Sequence, residues 1–179
     1  RYMDKLHSTQ KEQVQQISYK HTCKILGSRV NMVFYDVTTI YFEIDKEDDL
    51  RKTGFSKEGK HQHPQIVLGL LVSQYGYPLA YDIFEGNKFE GHTMLPVLDS
   101  FKEKYNLDQM VIIADSGLLS NTNIKELESG GYEFILGARI KNEKRYIQRK
   151  ILSLKLKNTE SAVVEKGNLK LIVSYSDNR

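Results

Sequence analysis

Met32-Val33-Phe34-Tyr35-Asp36-Val37-Thr38-Thr39-Ile40-Tyr41-Phe42 is a run of β-branched and aromatic residues interrupted by one acid. Its composition is that of a strand buried in a sheet. A carboxylate inside such a strand is costly unless it is paired, hydrogen-bonded or bound to a metal, so Asp36 is marked for chemistry. The rest of the fold is read outward from this strand.

Upstream, residues 1–28 read as a helical lead-in or linker. Thr9 offers a cap with Glu12 three residues on, and Gly27 offers a stop. The apolar face is thin: Val14, Ile17, Cys23, Ile25 and Leu26. Downstream, Glu43 to Gln62 is charged, contains Gly54 and Gly59, and reads as a loop. Two further strands follow, Ile66–Val72 and Leu79–Phe84, divided by the turn Gly76-Tyr77-Pro78. Their short separation favours antiparallel neighbours.

Helical spacing then sets in from Thr93 to Tyr105, where Leu95, Leu98 and Phe101 share a face and Pro96 is tolerated in the first turn. A fourth strand, Met110–Ala114, is followed by a helix over Asn121–Ser129 that Gly130-Gly131 closes. A fifth strand spans Tyr132–Ala138. The order β-β-β-α-β-α-β predicts an α/β fold: a mixed sheet of three antiparallel strands, then parallel additions, flanked by helices. Residues 29–140 form this core. Residues 141–179 hold a basic helical stretch to about Leu154 and a hairpin, Ala162–Val164 with Leu169–Val173, turning at Lys166-Gly167-Asn168.

The chain has 179 residues, 40% hydrophobic and 27% charged, enough for one compact domain with a small appendage and too apolar for disorder. A single cysteine, Cys23, excludes an internal disulfide framework and a Cys-rich zinc site. No apolar run approaches the roughly 18 residues of a membrane helix, and no charged-then-apolar leader opens the chain. It begins at Arg1 and ends on Asp-Asn-Arg, which reads as a piece of something longer. The formal net charge of +3 hides an asymmetry. Residues 141–179 carry ten lysines and arginines against four acids, while residues 1–140 carry 16 bases against 19 acids. An acidic body with a basic tail points toward a polyanionic partner, though a solvated lysine-rich face has the same composition.

Asp115 ends the fourth strand and is followed by Ser116-Gly117, where an α/β sheet presents ligand-binding groups. In the predicted order the first and fourth strands are neighbours, so Asp36 and Asp115 converge. Two carboxylates make an oxygen site suited to Mg²⁺ or Mn²⁺. The plainer alternatives are a helix-capping Asp115 and an Asp36 bonded to a nearby loop. For phosphate contact the best residues are Arg145 and Arg149, spaced for one helical face, with Lys141 and Lys150 beside them. Lys57 and Lys60 in the charged loop are further candidates. His61-Gln62-His63 reads as surface rather than as a zinc site, since no third ligand is evident.

Tyr35-Asp36-Val37-Thr38-Thr39, followed by Tyr41-Phe42-Glu43, resembles the first-Asp motif of DDE transposases from bacterial insertion sequences. Gly54-Phe55-Ser56-Lys57, Pro64-Gln65, Gly86-Asn87 and Ala114-Asp115-Ser116-Gly117 resemble that family's later signatures in order, over about residues 29–140. The resemblance implies a ribonuclease H-like fold with Asp36 and Asp115 as the first two members of an Asp-Asp-Glu metal triad. It also implies hydrolysis at transposon ends and transfer of a 3′-hydroxyl into target DNA, with Asn87 near the acids. Paired subunits in a synaptic complex and a bacterial, cytoplasmic, nucleoid-associated setting are implied with it. The family's Glu belongs on a later helix, and Glu126, Glu128, Glu133, Glu143, Glu160 and Glu165 do not match its context. We therefore expect residues 141–179 to begin a β-rich insertion that precedes the third ligand, leaving the piece inactive as given. The rival readings are a non-catalytic DNA-binding or interaction fragment of the same fold and a hydrolytic nuclease.

Overall fold

The structure is a computed structural model and describes residues 10–56, 59–60, 62–107 and 109–178. The chain divides into two units, Arg1–Gly137 and Ala138–Arg179. In the first, helix α1 (Lys11–Leu26) precedes strands β1 (Met32–Tyr41), β2 (Gln65–Ser73) and β3 (Pro78–Glu85). Helix α2 (Met94–Tyr105), strand β4 (Val111–Ala114), helix α3 (Asn121–Ser129) and strand β5 (Glu133–Leu136) complete it. The second unit holds helix α4 (Arg145–Leu152) and a hairpin of β6 (Ser161–Lys166) and β7 (Leu169–Ser174).

The five strands of the first unit form one sheet in the order β3-β2-β1-β4-β5. β1 pairs antiparallel with β2 and β2 with β3, while β4 lies parallel to both β1 and β5. This is the mixed sheet that the order of elements predicted, in the ribonuclease H-like arrangement that the resemblance implied. Parallel pairing follows from the α2 and α3 crossovers, and the antiparallel meander from the short β2–β3 turn.

Strand alternation divides the side chains between two faces of unequal character. Val33, Tyr35, Leu71, Ala80, Ile112 and Ala114 point into a core filled by Met94, Val97, Leu98 and Phe101 of α2 and Leu127 of α3. Tyr19, Cys23 and Leu26 of α1 pack against the same core. The three helices among the described residues of this unit thus cover one face. On the other face Val72, Phe34, Ile113 and Ile135 are paired neighbours across four strands, and Phe34 and Ile135 are 36% and 53% exposed.

Helix α1 is tied to β3 and packs within the first unit. The Lys11 ammonium pairs with Asp82 at 2.6 Å, Gln15 donates to the Tyr81 carbonyl at 2.9 Å, and Tyr19 stacks on Tyr105. Its thin apolar face suffices because aromatic stacking and these polar ties supplement it. Gly27 stops the helix in the left-handed conformation at φ 66°. The Thr9 cap lies outside the described residues, and the flanking Gln10 makes no side-chain cap.

The charged loop after β1 is pinned where β2 begins and β3 ends. Lys52 exchanges backbone hydrogen bonds with Gln65, at 3.1 and 2.9 Å, and Gly86 donates its amide to the Leu50 carbonyl at 3.1 Å. The buried Gln65 amide donates to the carbonyls of Gly86 (2.7 Å) and Phe55 (3.2 Å). A Cβ on Gly86 would collide with the carbonyl oxygens of Gln65 and Lys52, so only glycine fits this crossing.

The second unit has its own small core. Ile147 and Ile151 of α4 pack on Val164, with Leu154, Leu171 and Val173 around them. Gly167 turns the hairpin at φ 60°, and Lys166 closes an ion pair with Glu143 at 2.7 Å. The boundary between the units falls after Gly137, three residues before the division read from the sequence.

Candidate functional site

The parallel ladder of β1 and β4 runs from Met32–Val111 to Tyr35–Ala114. Asp36 and Asp115 are the next residue on each strand, so the two acids stand at equivalent positions on adjoining strands, whose spacing is about 4.8 Å. Asp36 is still within β1, opposite Leu70 of β2, whereas β4 has ended and the chain turns at Asp115.

Both acids are exposed. This corrects the expectation drawn for Asp36 from its apolar surroundings. Alternation places it with Phe34 and Thr38 on the face away from the helices, while Tyr35 and Val37 enter the core. The apolar composition of β1 reflects apolar residues on both faces, of which one is covered. One Asp36 oxygen accepts the Val37 amide at 2.9 Å, and one Asp115 oxygen accepts the Gly117 amide at 2.7 Å. Asp115 does not cap α3, because Ser120 does so by accepting the Asn123 amide at 3.0 Å. Among the described residues no group of three His, Cys, Asp or Glu is arranged to hold a metal ion.

The donor set fits a hard divalent cation in kind, being two exposed carboxylates with oxygens left over from their local backbone bonds. Its two residues are fewer than the oxygens such an ion requires, and water or phosphate oxygens commonly supply the remainder.

The phosphate-contact candidates fall in two places. Lys60 and Asn87 lie near the crossing of the charged loop with the β3 end, five residues along β1 from Asp36. The Lys60 ammonium sits 5.0 Å from the centre of the Tyr41 ring, and Asn87 is exposed in the turn closed by Lys88 donating to the Glu85 carbonyl at 2.9 Å. Lys141, Arg145, Arg149 and Lys150 are all exposed in the second unit, where Ile147 and Ile151 occupy the opposite side of α4. Lys57 and His61 lie outside the described residues.

A residue that sequence reading passed over is Thr93. It flanks the start of α2 without capping it; its buried hydroxyl instead accepts the Tyr35 phenol proton at 2.8 Å and donates to the Glu90 carbonyl at 2.6 Å. Burial pushes the Tyr35 pKa up to about 12, which keeps the phenol a donor. The available signal was a tyrosine directly before the first acid.

Among solved structures, a piggyBac transposase synaptic complex with hairpin DNA aligns at a TM-score of 0.50 and 14% identity, over 82% of this chain and 31% of that one. A Mos1 transposase paired-end complex with the left transposon end aligns at 0.40 and 16% identity, over 67% and 41%. A pre-cleavage Mos1 transpososome aligns at 0.41 and 14%, over 76% and 48%. The chain thus spans between about a third and a half of the length of these solved chains. No curated protein matches it. The family model described as a transposase DDE domain matches residues 31–176, which takes in both acids, the whole sheet and the hairpin of the second unit. The chain belongs to the transposase DDE domain family.

Proposed function

We propose that this chain is catalytic-domain sequence of a DNA transposase, with Asp36 and Asp115 as two carboxylate ligands of Mg²⁺ or Mn²⁺. The observation that carries the reading is the register that sets both acids one residue past Tyr35 and Ala114. In the proposed reaction water attacks a phosphodiester at a transposon end and the 3′-oxygen leaves as a free 3′-hydroxyl. That hydroxyl then attacks a phosphodiester of target DNA, forming one P–O bond as another breaks. Bound divalent cations supply the positive charge that stabilises the attacking and leaving oxygens. The chain's own part is to hold the two carboxylates side by side on a rigid sheet, open to solvent and to a backbone phosphate.

Lys57, Lys60 and Asn87, together with Lys141, Arg145, Arg149 and Lys150 in the second unit, are proposed to hold the DNA backbone. Such contacts fix position without reading sequence. The setting is proposed as a bacterial insertion sequence, with two subunits acting on paired ends in the cytoplasm at the nucleoid. Residues 141–179 are proposed as part of a β-rich insertion. A third carboxylate, in addition to Asp36 and Asp115, is proposed to complete the site.

The test is metal-dependent nicking of DNA carrying the element's own ends by the protein that contains this chain, with Asp36→Asn and Asp115→Asn as comparisons. Loss of nicking in both variants with DNA binding retained supports the assignment. Unchanged nicking in both would refute it. The absence of a three-residue metal cluster among the described residues favours one second reading, a DNA-binding fragment without catalysis. That reading predicts DNA binding by the protein with no nicking at any Mg²⁺ or Mn²⁺ concentration.

A further inference from the structure

Thr93 stands where a helix N-cap belongs, and a threonine there ordinarily turns its oxygen toward the first free amides of the helix. It makes no such bond. Its hydroxyl is committed sideways, accepting from Tyr35 and donating to the Glu90 carbonyl, which belongs to the short 3-10 turn Glu90–His92. Two fully or nearly fully buried residues thus link the strand bearing Asp36 to the segment that carries Asn87 and Lys88 into α2.

The Tyr35 side is equally constrained. Its phenol runs beneath β2 against Gly69, where a Cβ would collide with the hydroxyl, so the glycine leaves the space the ring occupies. Its backbone pairs with Leu71 on one side and Ala114 on the other. Tyr35 is therefore fixed by two ladders, by the ring's slot at Gly69 and by the bond to Thr93. The residue that follows it is Asp36.

We propose that Tyr35 and Thr93 form a positioning relay that sets Asp36 level with Asp115 and locks the Glu90–His92 turn to the same frame. Neither residue touches the metal; each acts through the backbone of β1. The proposal rests on the assignment of the acid pair as metal ligands. Removing the Thr93 hydroxyl takes away the acceptor of the Tyr35 proton, while the Glu90 carbonyl keeps the Thr93 amide at 3.1 Å, and the strand gains freedom beside the acid. Outer partners of metal ligands commonly change metal affinity by about 10- to 100-fold when removed.

The experiment is a Mn²⁺ titration of the ¹⁵N-labelled 179-residue chain, following paramagnetic broadening of the Asp36 and Asp115 backbone amides. Wild type is compared with Thr93→Val, Thr93→Ser and Tyr35→Phe, and thermal melts are recorded in parallel. We expect Thr93→Val and Tyr35→Phe to need about 10-fold more Mn²⁺ for half-broadening. Thr93→Ser, which keeps the hydroxyl, restores the wild-type midpoint. A lowered melting temperature with unchanged Mn²⁺ midpoints in Thr93→Val and Tyr35→Phe would show a purely structural bond and overturn the relay. Should Thr93→Val fail to fold, Tyr35→Phe decides alone, because it keeps the ring and removes only the donated proton. Absence of broadening at Asp36 and Asp115 in wild type would overturn the metal assignment itself, an outcome separate from the failure of the relay alone.

Discussion

Asp36 and Asp115, 79 positions apart in sequence, follow immediately on the Tyr35–Ala114 pair that closes the parallel ladder between β1 and β4. Both are exposed and, among the described residues, each bonds a nearby backbone amide, so neither is needed to fill the core. Replacing either with Asn is expected to change stability by no more than about 0.5 kcal/mol. Activity should fall more than about 100-fold, beyond what outer partners of a metal typically cost. Chemical denaturation and a nicking assay on the same preparations check both halves.

The second unit's core rests on few side chains, with Ile147, Ile151 and Val164 its buried members. Ile147→Ala is expected to cost about 2–5 kcal/mol, a large part of what so small a core can supply. Hydrogen exchange read residue by residue should show protection lost in α4, β6 and β7, while the β1–β4 ladder keeps its slow amides.

Several tyrosines titrate late. Tyr19 and Tyr35 are pushed up to about 12, chiefly by burial, and Tyr132 is also raised by burial and by its bond to Asp99. A folded-state pKa above the unfolded value near 10 favours the folded state until the unfolded phenols begin to ionise. Stability should therefore hold up to about pH 10 and be lost as the pH rises toward about 12. Tyrosinate absorbance and circular dichroism followed together should show these late phenols ionising as the chain unfolds.

Arg145 and Arg149 lie exposed one helical turn apart on α4. If both hold phosphates, changing each to Gln should weaken binding to any duplex alike. Each change should also reduce the slope of log K against log salt by about 1. A salt titration by fluorescence anisotropy reads the slope directly.

Most of the sheet was legible because its signals are local. A β-branched run, a glycine-proline turn and helical spacing each act over a few residues, and topology follows from their order. The Asp36–Asp115 register could be anticipated because helix crossovers dictate parallel neighbours. Three things were not legible. The exposure of Asp36 depends on which face the helices choose, and both faces of β1 are apolar. The attachment of α1 depends on Asp82, Tyr81 and Tyr105, all more than 60 residues away. Thr93's bond to Tyr35 spans 58 residues and contradicts its local role as a cap.

The row Val72–Phe34–Ile113–Ile135 sits two residues before the acids on the face away from the described helices of the first unit. Bare apolar area of this kind promotes association unless charge keeps it wetted. Asp36 and Asp115 supply charge at that border, so the groups proposed to bind metal are also expected to oppose association through this row. Neutralising them, by substitution or by a bound cation, removes part of that protection. The association of Asp→Asn variants at high concentration is thus expected to depend on the same two residues proposed for metal binding.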